Sequence, residues 1–179
     1  MPSRILSLTR CPVLMLGAIS MLAAAQDHFG GHASGHASGL ASRLYAEIVN
    51  KAAAAGFDRV TVLYLDPRIM TRVAVTPQAL AQLGCRLEIR SDSPKWADLV
   101  AILRSQSVTA ADRPAGEVRW GMTFHDDSSR ADVQDLYFGP YYGPQMDGLT
   151  VFGYVGKLTV YFPAALPKKM TAYIQGLGC

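Results

Sequence analysis

The stretch Glu117-Val-Arg-Trp-Gly-Met-Thr-Phe-His125 alternates strictly between apolar side chains and polar or small ones. A period of two is typical of a β-strand with one face in the core and the other toward solvent. The predicted core face holds Val118, Trp120, Met122 and Phe124. The opposite face holds Arg119, Gly121, Thr123 and His125. This strand therefore decides which side chains build the core and which remain available to a partner.

A turn signal and a second strand follow this segment. Asp126-Asp-Ser-Ser129 has the composition of a tight turn, and residues 133–138 return as the second arm of a hairpin. A turn centred near Ser128 predicts two cross-strand pairs: Tyr137 with Arg119, and Asp135 with Gly121. Gly121 would then leave a gap without a side chain, open to a ligand or a partner backbone.

Helical signals occur before the hairpin. Apolar residues recur every four positions from Leu40, and Gly56 is predicted as the left-handed residue that ends this helix. Thr76-Pro77 and Ser93-Pro94 each combine an N-cap residue with a proline at the first helical position. After the second of these, an apolar stripe at helical spacing follows: Trp96, Leu99, Val100 and Leu103.

Further strands are predicted between the helices. Residues 60–65 are apolar on both faces, as in a central strand, and residues 85–90 alternate. Residues 72–75 are predicted as another extended piece, and residues 149–162 as one or two strands. Helices and hairpins are interspersed without regular βαβ alternation. The predicted class is α+β, a mainly antiparallel sheet with helices packed on one face.

The N-terminus has the pattern of a cleavable signal peptide, residues 1–25. Arg4 and Arg10 precede a mainly apolar stretch, and three alanines stand before a predicted cut ahead of Gln26. The apolar stretch is shorter than the roughly 20 residues that cross a bilayer as a helix. We therefore expect a periplasmic or secreted protein with no stable membrane span after processing.

The predicted mature chain has a flexible leader, residues 26–39, rich in His, Gly and Ser, and a single domain, residues 40–179. The whole sequence has 17 Lys and Arg against 14 Asp and Glu. Arg4 and Arg10 leave with the signal peptide, so 15 against 14 remain. A balance near zero lacks the clustered positive charge of nucleic-acid binding, which we therefore do not expect.

Two cysteines remain after processing, Cys85 and Cys179. In an oxidising compartment two cysteines can pair with none left over. A second interpretation is open, because Cys85 shares the apolar face of its strand with Leu87 and Ile89 and a buried free cysteine behaves as a small hydrophobe.

The polar side of the hairpin is the predicted recognition surface. It comprises Arg119, Thr123, His125, Asp135 and Tyr137, with Tyr141 and Tyr142 in a Gly/Pro-rich loop at its edge. A cation, aromatic rings and a carboxylate suit a protein, a peptide or an envelope component. We expect a binding domain without a cofactor. An ordinary solvated sheet face is the other interpretation of the same pattern.

An envelope hydrolase centred on His125 is the alternative from another class. Cys85 or Ser128 would supply the nucleophile, and Asp126 or Asp127 would orient the imidazole. The sequence has no G-x-S-x-G motif to support this activity.

Metal binding by the leader is a further alternative. If the mature chain begins at Gln26, the terminal amine, two backbone nitrogens and the His28 imidazole form a planar set of four nitrogens. Such a set suits Cu(II) or Ni(II), and His32 and His36 could add weak ligands.

Overall fold

Seven strands form one antiparallel sheet in the computed structural model, which describes residues 33–112, 116–128, 134–140 and 150–179. The helices are α1 (Ala33–Ala53), α2 (Pro77–Leu83), α3 (Pro94–Arg104) and α4 (Ala165–Gln175). The strands are β1 (Arg59–Tyr64), β2 (Cys85–Arg90), β3 (Thr109–Ala110), β4 (Trp120–His125), β5 (Gln134–Phe138), β6 (Thr150–Val155) and β7 (Leu158–Pro163). Their order in the sheet is β2-β1-β4-β5-β6-β7-β3. The predicted α+β class with a mainly antiparallel sheet is confirmed.

The hairpin of β4 and β5 lies at the centre of the sheet. Tyr137 pairs with Gly121, and Asp135 pairs with Thr123. The predicted pairing with Arg119 and Gly121 was therefore displaced by two residues. A shift of two keeps every side chain on its predicted face, whereas a shift of one would have exchanged the faces. Within β4 the assignment of inward and outward residues survives for this reason, whereas Val118, predicted beside Trp120 on the core face, packs with Leu63 and Leu80 instead.

Helices α1, α3 and α4 pack on the apolar face of the sheet. Trp120 stacks on Phe138 with ring centroids 5.4 Å apart, and Phe138 contacts Phe162 at 5.5 Å. Two polar atoms in this core have backbone partners, since Tyr45 donates to the Leu103 carbonyl at 2.8 Å and Trp96 Nε1 donates to the Ala52 carbonyl at 2.9 Å. This face holds most of the buried side chains.

Helix α2 packs on the opposite face, which corrects the prediction that the helices share one face. Its buried Leu80 forms a second, smaller core with Leu63 of β1 and with Val75 and Val118. The physical reason lies in β1, which is apolar on both faces. Leu63 needs a cover on the side that the other helices leave open.

The helix ends are partly as predicted. Thr76 and Ser93 cap α2 and α3, each accepting a backbone hydrogen bond at 3.2 Å. Helix α1 begins at Ala33, earlier than Leu40. It ends in a Schellman motif whose left-handed residue is Ala55, with φ +54°, and not Gly56. A Cβ at Gly56 would lie 2.7 Å from a Lys51 side-chain carbon, so a close approach explains that glycine.

The structure pairs Cys85 with Cys179, with Cα atoms 6.1 Å apart. The bridge joins the first residue of β2 to the end of the chain, a sequence separation of 94. A cysteine pair at disulfide distance fits an oxidising, exported compartment. Among the described residues no helix is both long and apolar enough to span a membrane.

Candidate functional site

Arg119, a predicted surface residue, lies immediately before β4 and is only 2% exposed. Its guanidinium donates to the Ile69 carbonyl at 3.0 Å and to the Thr71 hydroxyl at 3.3 Å, and it forms an ion pair with Glu117. A longer contact reaches the Asp66 carbonyl at 3.4 Å. Arg119 therefore holds the segment after β1 against the start of β4 and offers no free cation to a partner.

The segment that Arg119 fastens, residues 66–73, exposes three apolar side chains. Met70 is 94% exposed, Val73 77% and Ile69 50%. We call these three residues the apolar loop. Arg68 and Arg72 lie among them in the sequence and are also exposed. Exposed hydrophobic residues usually occur singly on a protein surface. Here three of them lie on one short segment, which the buried Arg119 guanidinium holds in place.

Four other predicted surface residues, Thr123, His125, Asp135 and Tyr137, lie on one face of the sheet. Thr123 and His125 of β4 lie beside Asp135 of β5, and Thr61 of β1 pairs with Thr123. We call Thr61, Thr123, His125 and Asp135 the polar patch. Thr123 donates to Asp135 at 2.8 Å, and the Thr61 hydroxyl lies 3.0 Å from His125 Nε2. The members of the polar patch thus hydrogen bond chiefly to one another.

Tyr137 lies on β5 two residues after Asp135 of the polar patch, and its ring covers Gly121. A Cβ at Gly121 would lie 2.7 Å from this ring and 3.3 Å from Leu80. The open gap predicted at Gly121 is therefore filled by the chain itself. The pKa of the Tyr137 hydroxyl is raised, chiefly because the group is buried. A hydrogen bond with Thr123 lowers this pKa, and the Asp135 carboxylate raises it.

The carboxylates after β4 engage other partners than His125. Asp126 accepts from Lys51 at 3.0 Å, and Asp127 accepts from Arg59 at 2.9 Å. Hydrogen bonds from Ser128 and from Lys51 lower the pKa of Asp126 to about 2. Neither residue orients the imidazole, as a hydrolase centred on His125 would need.

The nucleophiles suggested for a hydrolase are also engaged elsewhere. Cys85 is paired with Cys179, and Ser128 donates to Asp126. Within the described ranges the ring of His125 hydrogen bonds only to Thr61, a buried residue in mid-strand. The described residues thus assemble no acyl-transfer triad.

Several predicted residues lie outside the described part of the chain. These are Tyr141, Tyr142, His28 and His32, and of His36 only the backbone, within α1, is described. In the described part, no three His, Cys, Asp or Glu side chains are grouped as a metal site would need.

The local sequence patterns do not indicate the apolar loop or the part played by Thr61. Residues 72–75 were expected to be an extended piece, but they belong to no strand. The available signal was Pro67 followed by apolar residues without a period of two or 3.6. The partnership of Thr61 with His125 depends on β1 pairing with β4, which no local pattern specifies.

The chain matches no protein-family model, no curated protein and no solved structure. The fold alone does not imply a function, because one fold hosts many. The function must therefore be argued from the surface features of this α+β domain.

Proposed function

We propose that this protein is an exported interaction domain that binds a protein of the cell envelope through the apolar loop. The observation that carries the proposal is the exposure of Ile69, Met70 and Val73 on a segment hydrogen bonded to a buried arginine. The signal pattern of residues 1–25 and the disulfide-distance pair of cysteines support the export.

Rigidity is what makes these three side chains suited to binding. A mobile loop pays conformational entropy when a partner orders it, whereas a segment already fixed by Arg119 pays less. Apolar side chains at the centre of an interface, with charged groups at its rim, are the usual arrangement of a protein contact. Here Arg68 and Arg72 supply the rim.

The polar patch has a lesser part in this proposal. Its side chains already form two hydrogen bonds, between Thr61 and His125 and between Thr123 and Asp135, and a partner gains little by replacing those bonds. Thr123, His125, Asp135 and Tyr137 remain predicted contact residues for a partner that extends beyond the apolar loop.

The test compares two variants of the mature protein as immobilised bait for envelope and culture-medium fractions. The double variant Met70→Ser/Val73→Ser alters only exposed side chains and should keep its melting temperature within a few degrees. The control, Leu83→Ser, removes an exposed leucine at the end of α2. We expect one protein to be retained by wild type and control and lost by the loop variant.

The retained protein, once purified, should bind the wild-type domain and the control but not the loop variant. Equal binding to all three would refute the proposal. Sedimentation of the wild type with anionic phospholipid vesicles, lost in the loop variant, would also overturn it, because the apolar loop would then bind a lipid surface and not a protein.

A further inference from the structure

A cleft lies at one end of the sheet, where β1 ends and β4 begins. One cavity in it, of about 380 Å³, is lined by Pro67, Pro140 and Pro167, by Trp120, and by Arg68, Lys168 and Thr171. A second cavity of about 270 Å³ shares Pro67, Arg68 and Thr171 with it and extends toward Gln175. The size is at the lower end of the range for small-molecule sites.

Trp120, which lines this cleft, has a buried hydrogen-bond donor without a partner in the described part of the chain. The residue is 2% exposed, and its Nε1 finds no hydrogen-bond acceptor in the described part of the chain. Trp96, the other tryptophan, donates to a backbone carbonyl. A buried N–H without an acceptor is destabilising and is rare in folded proteins. An acceptor on a bound ligand would remove that cost.

The charges around the cleft favour an anionic acceptor. Arg68 and Asp66 neutralise each other through two contacts of 3.0 Å, and hydrogen bonds from Arg68 lower the pKa of Asp66 to about 2. Lys168 is exposed, and within the described ranges it has no ion pair. It stands in the first turn of α4, which has no side-chain cap and no acidic residue.

The remaining walls favour an apolar group beside that acceptor. Three proline rings and an indole offer apolar surface. The Thr171 hydroxyl is already engaged with Tyr64.

We propose that this cleft binds a carboxylate attached to a compact apolar group. The carboxylate accepts from Trp120 Nε1 and pairs with Lys168, while the apolar group contacts the proline rings. Both a free organic acid and the C-terminus of a peptide have this chemistry. The cleft borders the segment of residues 66–73 through Pro67 and Arg68, but none of the three apolar-loop residues lines it, so the inference does not depend on the proposed function.

The test follows the two indole N–H resonances in nitrogen-labelled mature protein, assigned with a Trp96→Phe variant. N-acetyl-leucine should shift the Trp120 resonance and leave that of Trp96 in place. N-acetyl-leucinamide, which has the same apolar group but no charge, should shift neither. We expect a dissociation constant for the acid on the order of 1 mM or lower.

Two lysine variants supply a matched control. Lys168→Gln should weaken binding of the acid about five- to tenfold, because it removes a charge-assisted contact. Lys169→Gln should leave binding unchanged, since Lys169 donates to Ser105 at 3.0 Å, away from the cleft. The Met70→Ser/Val73→Ser variant should bind the acid as wild type does, which separates this inference from the proposed function.

Three outcomes would overturn the inference. These are no shift of the Trp120 resonance, equal binding of acid and amide, or equal effects of the two lysine variants. A further arm distinguishes the sources of the ligand. A pentapeptide ending in leucine that binds at least tenfold more tightly than N-acetyl-leucine identifies a peptide C-terminus, and equal affinity identifies a free acid.

Discussion

Replacing Arg119 with methionine should both destabilise the fold and release the apolar loop. The substitution leaves the Glu117 carboxylate without its buried cation and removes the bonds to Ile69 and Thr71. Breaking a buried ion pair by removing one partner costs about 3–5 kcal/mol. For a domain of this size, that loss corresponds to a fall in melting temperature of about 6–20 °C.

The double variant Glu117→Gln/Arg119→Met separates the two effects. Without the carboxylate there is no uncompensated charge, so most of the lost free energy of unfolding should return. The bonds to the loop are still missing, so the loop should remain released. The two variants are therefore expected to differ in stability and to agree in the behaviour of the loop.

Trypsin provides the assay, because Arg68 and Arg72 are exposed cleavage sites within the loop segment. Both variants should be cut there at least tenfold faster than wild type under conditions in which circular dichroism shows them folded. If wild type and the double variant are cut at the same rate, Arg119 does not fasten the loop, and the reasoning is refuted.

Three further predictions concern stability. Reducing the Cys85–Cys179 bridge, or replacing both cysteines with serine, should lower the free energy of unfolding by about 4.7 kcal/mol, the value of the loop-entropy relation for a separation of 94 residues. An unchanged melting temperature of the wild type in dithiothreitol would contradict this prediction. Ala55→Gly should stabilise the domain by about 0.5–1 kcal/mol in urea titrations, because Ala55 has a positive φ, whereas Ala54→Gly should not stabilise it. The pKa of Asp126 is lowered to about 2 from its usual 3.8. The stability that the ionised Asp126 carboxylate contributes to the fold is therefore present above about pH 4 and is lost as the pH falls toward 2. The Asp126→Asn variant should for this reason lose less stability on acidification than the wild type.

Much of the sheet could be predicted because its signals are local. Alternation in β4 fixed which of its side chains face the core, and the cap-plus-proline pairs located the starts of α2 and α3. The register of the hairpin could not be fixed to better than two residues, because the turn composition does not set the length of its loop. The face of the sheet that α2 covers depends on which strands pair with β1. Those strands are distant in the sequence, so no local pattern indicates the face.

The candidate site was predicted less well for a related reason. Alternation placed Arg119 on the polar face, but only the chain path after Pro67 determines that this face is covered there. A buried arginine and an exposed one have the same local sequence pattern. The exposed Met70 has no periodic signal at all, since it lies in a segment without regular structure.

The most direct test of the central claim is photocrosslinking in cells that export the protein. A benzophenone amino acid at Met70, the most exposed of the three loop residues, should yield one covalent adduct with an envelope protein. The same group at Leu83 should yield none. Adducts of the same kind from both positions, or none from Met70, would contradict the assignment of the apolar loop as the binding surface.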